Sequence, residues 1–402
     1  MKILYLGAPV PETDEFRVPG FYRAGNLALR GISEGLYAED PSVSVWGFQS
    51  VQSFPRFSKL FVGYRRIVFP SGMVVRLLPY VNVLFVRELI QAIWCFLITV
   101  GWGVRNLFKP KCTIVYNLYR PPLPVQWLAC RLVGSKLVPI IFDVGMPPGS
   151  LGKLRDWIYQ VSEAILKIAL KHIDGAAVIV ENIINRYCRG IPWLLVDGGV
   201  SPDIQSRLFD LNRDGPDDGI TRFVFAGSLA RHNGLYWLLD ALRKNTNPNL
   251  QLTIAGAAEG DVAEAIATHV KNDSRVRYVG MLDLDQLFSL YRQCDCVMNL
   301  RMTKGLDTST WFPSKFLEAM VVGRSVLSTN VSHLKEVYGK YCYVLEDENA
   351  DALSDMLDCI CLAGRKARDL MGAGARNMML KEHTWEIQMK RLVQFCGALF
   401  NR

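Results

Sequence analysis

The sequence contains few of the residues from which metal sites and catalytic nucleophiles are usually built. Five histidines occur in 402 residues, and their spacing forms neither an HxxxH nor an HExxH pattern. The ten cysteines form no CxxC pair, which argues against zinc and thioredoxin-like sites. A Walker A loop is also missing, and the one GxSxG match, at 31–35, falls in a helical pattern that begins at 23 rather than at the strand-to-helix turn of a nucleophile elbow. We therefore expect no metal site and no bound cofactor, and neither P-loop nor serine-hydrolase chemistry.

Long apolar runs are scarce as well. The first run, at 3–6, is too short for a signal peptide and predicts a strand. Most cysteines lie in apolar surroundings, which favours a reducing, cytoplasmic setting. The longest uncharged stretch, 89–104 within the apolar segment 77–108, falls short of the roughly 20 residues that a bilayer span needs. Two interpretations stay open for it: a buried domain helix, and a helix in the membrane interface with Trp94 and Trp102 at headgroup depth.

The positive charge is confined to one half of the chain. Residues 1–200 hold 22 Lys/Arg against 13 Asp/Glu, a balance of +9, whereas residues 201–402 hold 24 against 25, a balance of −1. No zinc-finger, RRM or helix-turn-helix pattern accompanies the basic half, so we expect no nucleic-acid partner. An anionic membrane surface or a lipid-diphosphate acceptor suits it better. The alternatives for location are the cytoplasm and the periphery of the inner face of the cell membrane.

Short apolar runs alternate with helical patterns along the chain, which predicts parallel sheets with helices on both faces. The fold class is therefore α/β, with two doubly wound, Rossmann-like domains facing across a cleft. The first covers 1–201, a polar and acidic linker covers 202–219, and the second covers 220–384. The predicted strands lie at 3–6, 43–46, 113–116, 137–142, 176–180 and 194–196, and at 223–225, 252–254, 276–278, 296–299, 325–328 and 342–344.

The strongest chemical signal is the stretch 311–327, where a small-residue loop after a strand leads into a helix. Pro313 suits the first helical turn. The unpaired N–H groups of such a helix start bind phosphate, and Lys315 in the first turn can add a charge-assisted hydrogen bond. Glu318 lies one turn further on, within reach of a ribose diol. Its alternative role is that of a carboxylate on the helix face that balances Lys315.

Further loops carry a glycine directly after predicted strands of the second half. The stretch 223–234 contains Gly227, which permits close approach of the backbone to a ligand, and Arg231, which can reach a diphosphate. Gly256 and Gly280 follow the next two strands, and Met281 follows Gly280. Because parallel strands end at one edge of a sheet, we expect these loops to converge and to hold a base through backbone groups.

In the first half, Asp143 follows a buried strand and is expected in the cleft. There its carboxylate either hydrogen-bonds an acceptor or sugar hydroxyl or caps its own loop. Tyr119 and Arg120 also follow a strand and are expected to face the cleft.

Taken in order, these blocks resemble the bacterial family-4-like, group 1 glycosyltransferases of the GT-B fold, and more narrowly the exopolysaccharide and capsule assembly members. The blocks are Gly-Ser-Leu and Asn-Gly at 227–234, Ile-Ala-Gly at 254–256, Val-Gly-Met-Leu at 279–282, and Phe-Pro-Ser-Lys-x-x-Glu-Ala-Met at 312–320. The resemblance implies that a final helix at 385–402 crosses back to the first domain. It also implies retention of anomeric configuration without a divalent metal.

The resemblance assigns a nucleotide-diphosphate sugar to the second domain, with Glu318 on the ribose and Ser314 and Lys315 on the diphosphate. The expected donor-binding residues are Glu318, Ser314, Pro313, Phe312, Arg301, Gly227, Ser228, Gly256, Gly280 and Met281, and the expected catalytic residues are Arg231, Lys315 and Asp143. The chain departs from the family pattern in three places. Thr310 stands where the family has a second acid, and Ser228 and Asn233 replace its basic pair.

The sequence thus predicts transfer of a hexose from a nucleotide-diphosphate sugar, such as a UDP- or GDP-sugar, to a lipid-linked or polysaccharide acceptor. Two alternatives stay open. One is a sugar-nucleotide epimerase of the same architecture, and the other is a degenerate subunit that binds nucleotide-sugar without turnover, which the three departures favour.

Overall fold

The computed structural model describes residues 1–118, 123–144, 153–200, 204, 215–229, 233–304, 308–310, 312 and 314–401, apart from the side chains of 153–159, 162 and 314. The chain divides into two compact units. Unit 1 comprises Met1–Ser201 and Thr384–Arg402, and unit 2 comprises Pro202–His383. The last helix of the chain therefore belongs to unit 1.

Unit 1 is built on an eight-stranded sheet of order β10-β9-β8-β7-β1-β2-β5-β4. All neighbours are parallel except β4 and β5, which form an antiparallel hairpin. A separate antiparallel pair joins β3 to β6. The strands are β1 Lys2–Leu6, β2 Ser44–Gly47, β3 Phe61–Val62, β4 Arg65–Val68, β5 Val74–Leu77, β6 Tyr80–Val81, β7 Lys111–Tyr116, β8 Lys136–Ile141, β9 Ala176–Val178 and β10 Trp193–Leu195.

Helices cover both faces of this sheet, because consecutive residues of its central strands β1, β7 and β8 are buried and point to opposite faces. The described helices are α1 Arg23–Glu39, α2 Val86–Arg105, α3 Leu123–Val133, α4 Lys153–Leu170, α5 Asn182–Tyr187 and α13 Trp385–Ala398, the last numbered by its place in the whole chain. Ile3 and Tyr5 of β1 pack in one core with α1 and α13. Leu6 points to the other side, where it lines a cavity together with residues of α2.

Unit 2 contains a six-stranded, fully parallel sheet of order β13-β12-β11-β14-β15-β16. Its strands are β11 Thr221–Ala226, β12 Leu250–Ala255, β13 Val276–Tyr278, β14 Cys296–Asn299, β15 Ser325–Thr329 and β16 Tyr343–Leu345. Its described helices are α6 Leu235–Lys244, α7 Gly260–Asn272, α8 Leu284–Gln293, α9 Ser314–Val321, α10 Leu334–Tyr338, α11 Ala350–Leu362 and α12 Gly364–Glu382. The order reverses between β11 and β14, which is where ligands bind in sheets of this type.

All twelve predicted strands are present, with ends that shift by one or two residues. Two regions differ from the sequence-based interpretation. The segment 77–108 is not one helix, since β5 and β6 occupy its beginning and α2 starts only at Val86. Residues 364–382, which no pattern singled out, form the 19-residue helix α12.

Candidate functional site

Three glycine loops meet at the carboxyl edge of the unit 2 sheet. Gly227 ends β11, Gly256 ends β12 and Gly280 follows β13. The Gly256 N–H donates to the Gly280 carbonyl over 2.7 Å, and the Gly227 N–H donates to the Ala255 carbonyl over 2.9 Å. A Cβ on Gly256 would lie 2.0 Å from the Gly227 carbonyl oxygen, and its φ of +146° is open only to glycine. The loops therefore form one interlocked surface of backbone atoms.

The first turn of α9 brings a positive charge to this surface. An ideal Cβ on Gly227 would lie 2.1 Å from Lys315 Nζ, so the ammonium group rests directly over the bare backbone of that glycine. Desolvation lowers the pKa of Lys315, and the nearby Glu318 carboxylate opposes this effect. Both side chains are solvent-exposed for more than a third of their area. A cation over a glycine loop beside a helix start is suited to binding phosphate.

Glu318 lies one turn along α9 from Lys315 and close to the half-buried Tyr291 of α8. The pKa of Tyr291 is raised by burial and by the Glu318 charge. The carboxylate thus stands between a lysine and a phenol, at the rim of the glycine surface. This placement is compatible with both roles considered for it, ribose binding and charge balance with Lys315.

Other residues that were predicted to bind the donor make contacts elsewhere in unit 2. Phe312 stacks on His333 at 5.4 Å between ring centroids and meets Phe316 edge-on at 6.4 Å. Arg301 follows β14 and is half-buried, and its backbone N–H donates to Thr329 Oγ1 over 3.0 Å. Thr310, at the position of the missing family acid, is 4% exposed. Phe312 is consequently held in an aromatic cluster rather than presented alone.

The loop after β11 is closed by one of the residues that depart from the family pattern. Asn233 Nδ2 donates to the Ser228 carbonyl over 2.7 Å and so ties the two ends of the loop together. Arg231, predicted to be catalytic, lies between them but outside the described residues, as do Pro313 and the side chain of Ser314. Met281, predicted next to the base, is 72% exposed beside Gly280.

Asp143 lies at the corresponding edge of unit 1, where it lines a cavity of about 580 Å³. The cavity is walled by the ends of β1, β2 and β7 and by the inner side of α2, with Gln49, Arg87, Gln91 and Tyr116 among its polar lining. Desolvation raises the pKa of Asp143, although more than a third of the residue is accessible and the Asn117 amide partly offsets the effect. Tyr119 and Arg120 lie outside the described residues.

Asn117, which the sequence pattern did not single out, organises this edge of unit 1. Its backbone is left-handed, with φ of 60°. Its Oδ1 accepts from the N–H groups of Phe142 and Asp143 over 2.9 and 3.1 Å, while its Nδ2 donates to Asp143 Oδ2 over 3.2 Å. A polar residue at the end of a buried strand was the available signal, since Asn tolerates this conformation.

Glu348 has a comparable role in unit 2 and was also missed. This carboxylate is 8% exposed and accepts from the N–H groups of Thr303 and Lys304 and from the Thr303 hydroxyl. It thereby holds the loop between β14 and α9. Because 45 residues separate Glu348 from Thr303, no local pattern points to the contact.

The structure therefore gathers Gly227, Gly256, Gly280 and Lys315 into one centre, with Glu318 beside it. Asp143 belongs to the other unit. Among the described residues, no group of three or more His, Cys, Asp or Glu is arranged to hold a metal ion.

Comparison with known proteins places this geometry in a family. The model of the group 1 glycosyl transferases matches residues 220–361, which contain the whole glycine edge, Lys315 and Glu318. Comparison with curated protein sequences gives no match.

Several solved structures share the fold over the full chain. A glycosyltransferase from Rickettsia africae aligns with a TM-score of 0.66 at 15% identity, covering 99% of this chain and 98% of its own. Alr3699/HepE from Anabaena, in complex with UDP, aligns with a TM-score of 0.63 at 14% identity, covering 99% and 100%. A sucrose-phosphate synthase from Thermosynechococcus elongatus aligns with a TM-score of 0.63 at 15% identity, covering all of both chains.

At these identities the structural likeness establishes the fold, and the family model adds a match to group 1 glycosyl transferases over residues 220–361. The predicted α/β, GT-B fold class is thereby confirmed. The narrower resemblance to family 4 stays a prediction. Residues 220–361 of the chain form a domain that matches the group 1 glycosyl transferases.

Proposed function

We propose that this glycosyltransferase moves a hexose from a nucleoside-diphosphate sugar to a hydroxyl of a lipid-linked or polysaccharide acceptor, with retention and without a divalent metal. The observation that carries the proposal is the Lys315 ammonium group above the interlocked glycine edge of unit 2. A diphosphate is the leaving group of such a reaction, and its developing charge is what the site has to stabilise.

The donor is assigned to unit 2. The glycine loops at 227, 256 and 280 offer backbone groups to the base and phosphates, and the start of α9 adds its N–H groups. We assign to Glu318 the acceptance of hydrogen bonds from the ribose hydroxyls. UDP and UDP-glucose are bound by the Anabaena structural neighbour, so we propose a UDP-sugar as the donor to test first.

The acceptor is assigned to the cavity of unit 1. Its volume of about 580 Å³ accommodates a sugar unit, and its lining combines apolar walls with the polar groups of Gln49, Gln91 and Asp143. We assign to Asp143 a hydrogen bond to an acceptor or sugar hydroxyl. Its raised pKa means that the carboxylate binds a proton more readily than an ordinary aspartate does.

Charge neutralisation by the chain's own cations replaces a metal in this proposal. Lys315 faces the diphosphate, and Arg231 and Arg301 are the further cations assigned to it. The free state of all ten cysteines supports a reducing, cytoplasmic location for the reaction.

The test measures nucleotide binding and nucleotide release for a panel of UDP- and GDP-sugars. We expect Glu318→Ala to weaken nucleotide affinity about 10- to 100-fold, since hydrogen bonds to a charged group contribute about 1.5–3 kcal/mol each. Glu264→Ala is the matched control, because Glu264 is also an exposed helical glutamate of unit 2. It should leave affinity unchanged.

The outcomes separate the proposal from its alternatives. Nucleotide binding without release from any donor would indicate the degenerate subunit, and interconversion of the free nucleotide-sugar would indicate the epimerase. Equal affinity in Glu318→Ala and the wild type would show that the ribose is held elsewhere.

A further inference from the structure

Helix α2 carries its polar and apolar residues on the opposite sides from those usual in a water-exposed helix. The side turned toward the protein contains Arg87, Gln91, Cys95 and Thr99, all exposed by 4% or less. The opposite side is entirely apolar and consists of Val86, Leu89, Ile93, Leu97 and Val104, which are exposed by between 42% and 63%. A surface helix in water buries its apolar stripe. This arrangement fits an apolar environment outside the protein.

The helix is nevertheless fastened to unit 1 along its length. At its start, Arg87 Nη1 donates to the Val51 carbonyl over 3.1 Å. In its second half, Thr99 Oγ1 donates to Gln126 Oε1 of α3 over 2.8 Å. Near its end, Gly103 packs so closely on α3 that a Cβ would lie 2.4 Å from Val133. Helix α2 therefore lies flat on the unit.

By length and composition α2 is the one helix of the described chain that could cross a membrane, yet only 28% of its apolar window is buried. The buried-helix interpretation of this segment is therefore not what the structure shows. Crossing a bilayer would break the three attachments just described, whereas contact with a surface would leave them intact.

The apolar surface continues across two neighbouring helices, since α3 packs on α2 and α4 packs on α3. Their outward side chains are Leu128 and Leu132 of α3 and Val161, Ile165 and Ile168 of α4, each exposed by more than 40%. Leu107 and the almost fully exposed Phe108 extend it past the end of α2. We call these twelve residues the three-helix face. A patch of this extent is unusual for a free surface and marks an interaction site.

Basic side chains accompany the three-helix face. Exposed bases on these helices and in the turns that follow them are Arg105, Lys109, Arg131, Lys167 and Lys171. The acids described on the same helices are Glu88, which pairs with Arg87 over 2.8 Å, and the half-buried Glu163. An apolar surface with a basic surround is complementary to anionic phospholipid rather than to another apolar protein face.

We propose that the three-helix face docks on an anionic phospholipid bilayer, with α2 lying in the plane of the interface and its apolar side among the acyl chains. The docked helix then separates the bilayer from the unit 1 cavity by a single helix diameter, about 10 Å. Arg87, Gln91 and Cys95 line that cavity from within. The docking itself depends on no step of the glycosyl transfer, so either proposal can fail alone.

The experiment is flotation of the full chain with phosphatidylcholine vesicles and with vesicles that also contain phosphatidylglycerol. We expect the wild type to float with the anionic vesicles at low salt. The triple variant Leu89→Glu, Ile93→Glu, Leu132→Glu should lose at least about tenfold in bound fraction, since it places charge in the acyl region. The matched control is Leu362→Glu, Leu370→Glu, two residues of unit 2 exposed by 86% and 74%.

A second variant tests the basic side chains around the three-helix face. The variant Arg105→Ala, Arg131→Ala, Lys167→Ala should bind phosphatidylcholine vesicles as the wild type does but lose the preference for anionic vesicles. Thermal unfolding and nucleotide affinity, measured on every variant, distinguish lost docking from lost folding or a lost donor site.

Three results would overturn the proposal. The wild type could stay unbound at low salt, or the triple glutamate variant could float as well as the wild type. The third is a wild-type dimer that the triple variant converts to a monomer without any change in flotation, which would mean that a second copy covers the face.

Discussion

The two sheets of this protein end in different kinds of surface, although the strands that form both edges are parallel. At the edge of unit 2, Gly227, Gly256 and Gly280 interlock through backbone contacts and leave no side chain of their own above them. At the edge of unit 1, side chains line a cavity of about 580 Å³. The unit 2 edge is a platform of closely packed backbone, whereas the unit 1 edge encloses a cavity whose shape depends on the side chains that line it.

The difference follows from what each edge has to bind under the proposed function. A nucleoside diphosphate presents the same groups in every donor, so close backbone approach is an adequate means of recognition. An acceptor varies between enzymes, and side chains are the part of a fold that can vary with it. Substitutions at the unit 2 edge should therefore act through the backbone and abolish binding, whereas those at the unit 1 edge should alter rate and pH dependence.

The largest effect is expected for Gly256→Ala. The new Cβ would lie 2.0 Å from the Gly227 carbonyl oxygen, a backbone atom that would have to shift, and the φ of +146° adds strain. We expect nucleotide affinity to fall by about 100-fold or more and the free energy of unfolding to fall by about 3 kcal/mol. Calorimetric titration with UDP and chemical denaturation measure the two.

Gly260→Ala is the control for backbone strain alone. Gly260 has a φ of +55°, but a Cβ there meets nothing within 4 Å. It should cost about 1 kcal/mol of stability and leave affinity unchanged. If Gly256→Ala bound UDP as tightly as Gly260→Ala, the interlocked edge would not be the donor platform.

The second prediction concerns the charge above the platform. Lys315→Ala should weaken UDP binding about 10- to 100-fold through loss of a charge-assisted hydrogen bond. Desolvation lowers the pKa of Lys315, so wild-type affinity should decline on the alkaline side at a lower pH than for an ordinary lysine. Lys315→Arg keeps the charge at all accessible pH values and should remove that decline. An unchanged pH profile in Lys315→Arg would contradict this assignment.

The third prediction moves to unit 1. If the Asp143 carboxylate binds the acceptor, the rate should fall on the acid side as it takes up a proton, at a pH above that of an ordinary aspartate because its pKa is raised. Asp143→Asn should lower the acceptor-dependent rate about tenfold or more and remove that acid limb, while UDP affinity stays unchanged. A loss of UDP affinity in Asp143→Asn would contradict the assignment of the nucleotide to unit 2 and of the acceptor to unit 1.

The raised pKa of Asp143 also makes the stability of the fold depend on pH. The folded pKa of Asp143 lies above the unfolded value of about 3.9. Its protonation therefore stabilises the fold below the unfolded pKa, and this contribution disappears as pH rises through the folded pKa. Asp143→Asn, which mimics the protonated form, should be slightly more stable than the wild type at neutral pH.

The fold was accessible from the sequence because parallel strands buried on both faces are continuous apolar runs. Strands such as β7 and β12 could be recognised from a few residues each. Helix α12 could not, since its sequence is rich in charge. Arg368 of α12 is 5% exposed and reaches the fully buried Asp295 side chain at 3.5 Å. No local pattern reveals that a charge will be buried with a partner 73 residues away.

The residues of the candidate site show the same difference between local patterns and contacts over a long sequence separation. The Gly-containing loops and the start of α9 are local features, so the sequence could predict that Gly227, Gly256, Gly280 and Lys315 lie together. Asn117 and Glu348 act through contacts across 25 and 45 residues, and both were missed. For α2 the sequence revealed an apolar helix but not which side would be buried. That depends on Arg87 and Thr99 finding partners in other elements.

The smallest effect is expected for Glu348, which holds the start of the loop between β14 and α9. Glu348→Gln loses acceptor capacity for the N–H groups of Thr303 and Lys304, so we expect a loss of about 1–2 kcal/mol in stability and a loss of a few-fold in UDP affinity. Glu346→Gln is the control, because Glu346 is exposed and pairs with Lys335 at the surface, where ion pairs contribute little. If Glu348→Gln matched the control in both measurements, the loop between β14 and α9 would not need its carboxylate. The donor edge would then depend on its glycines and Lys315 alone.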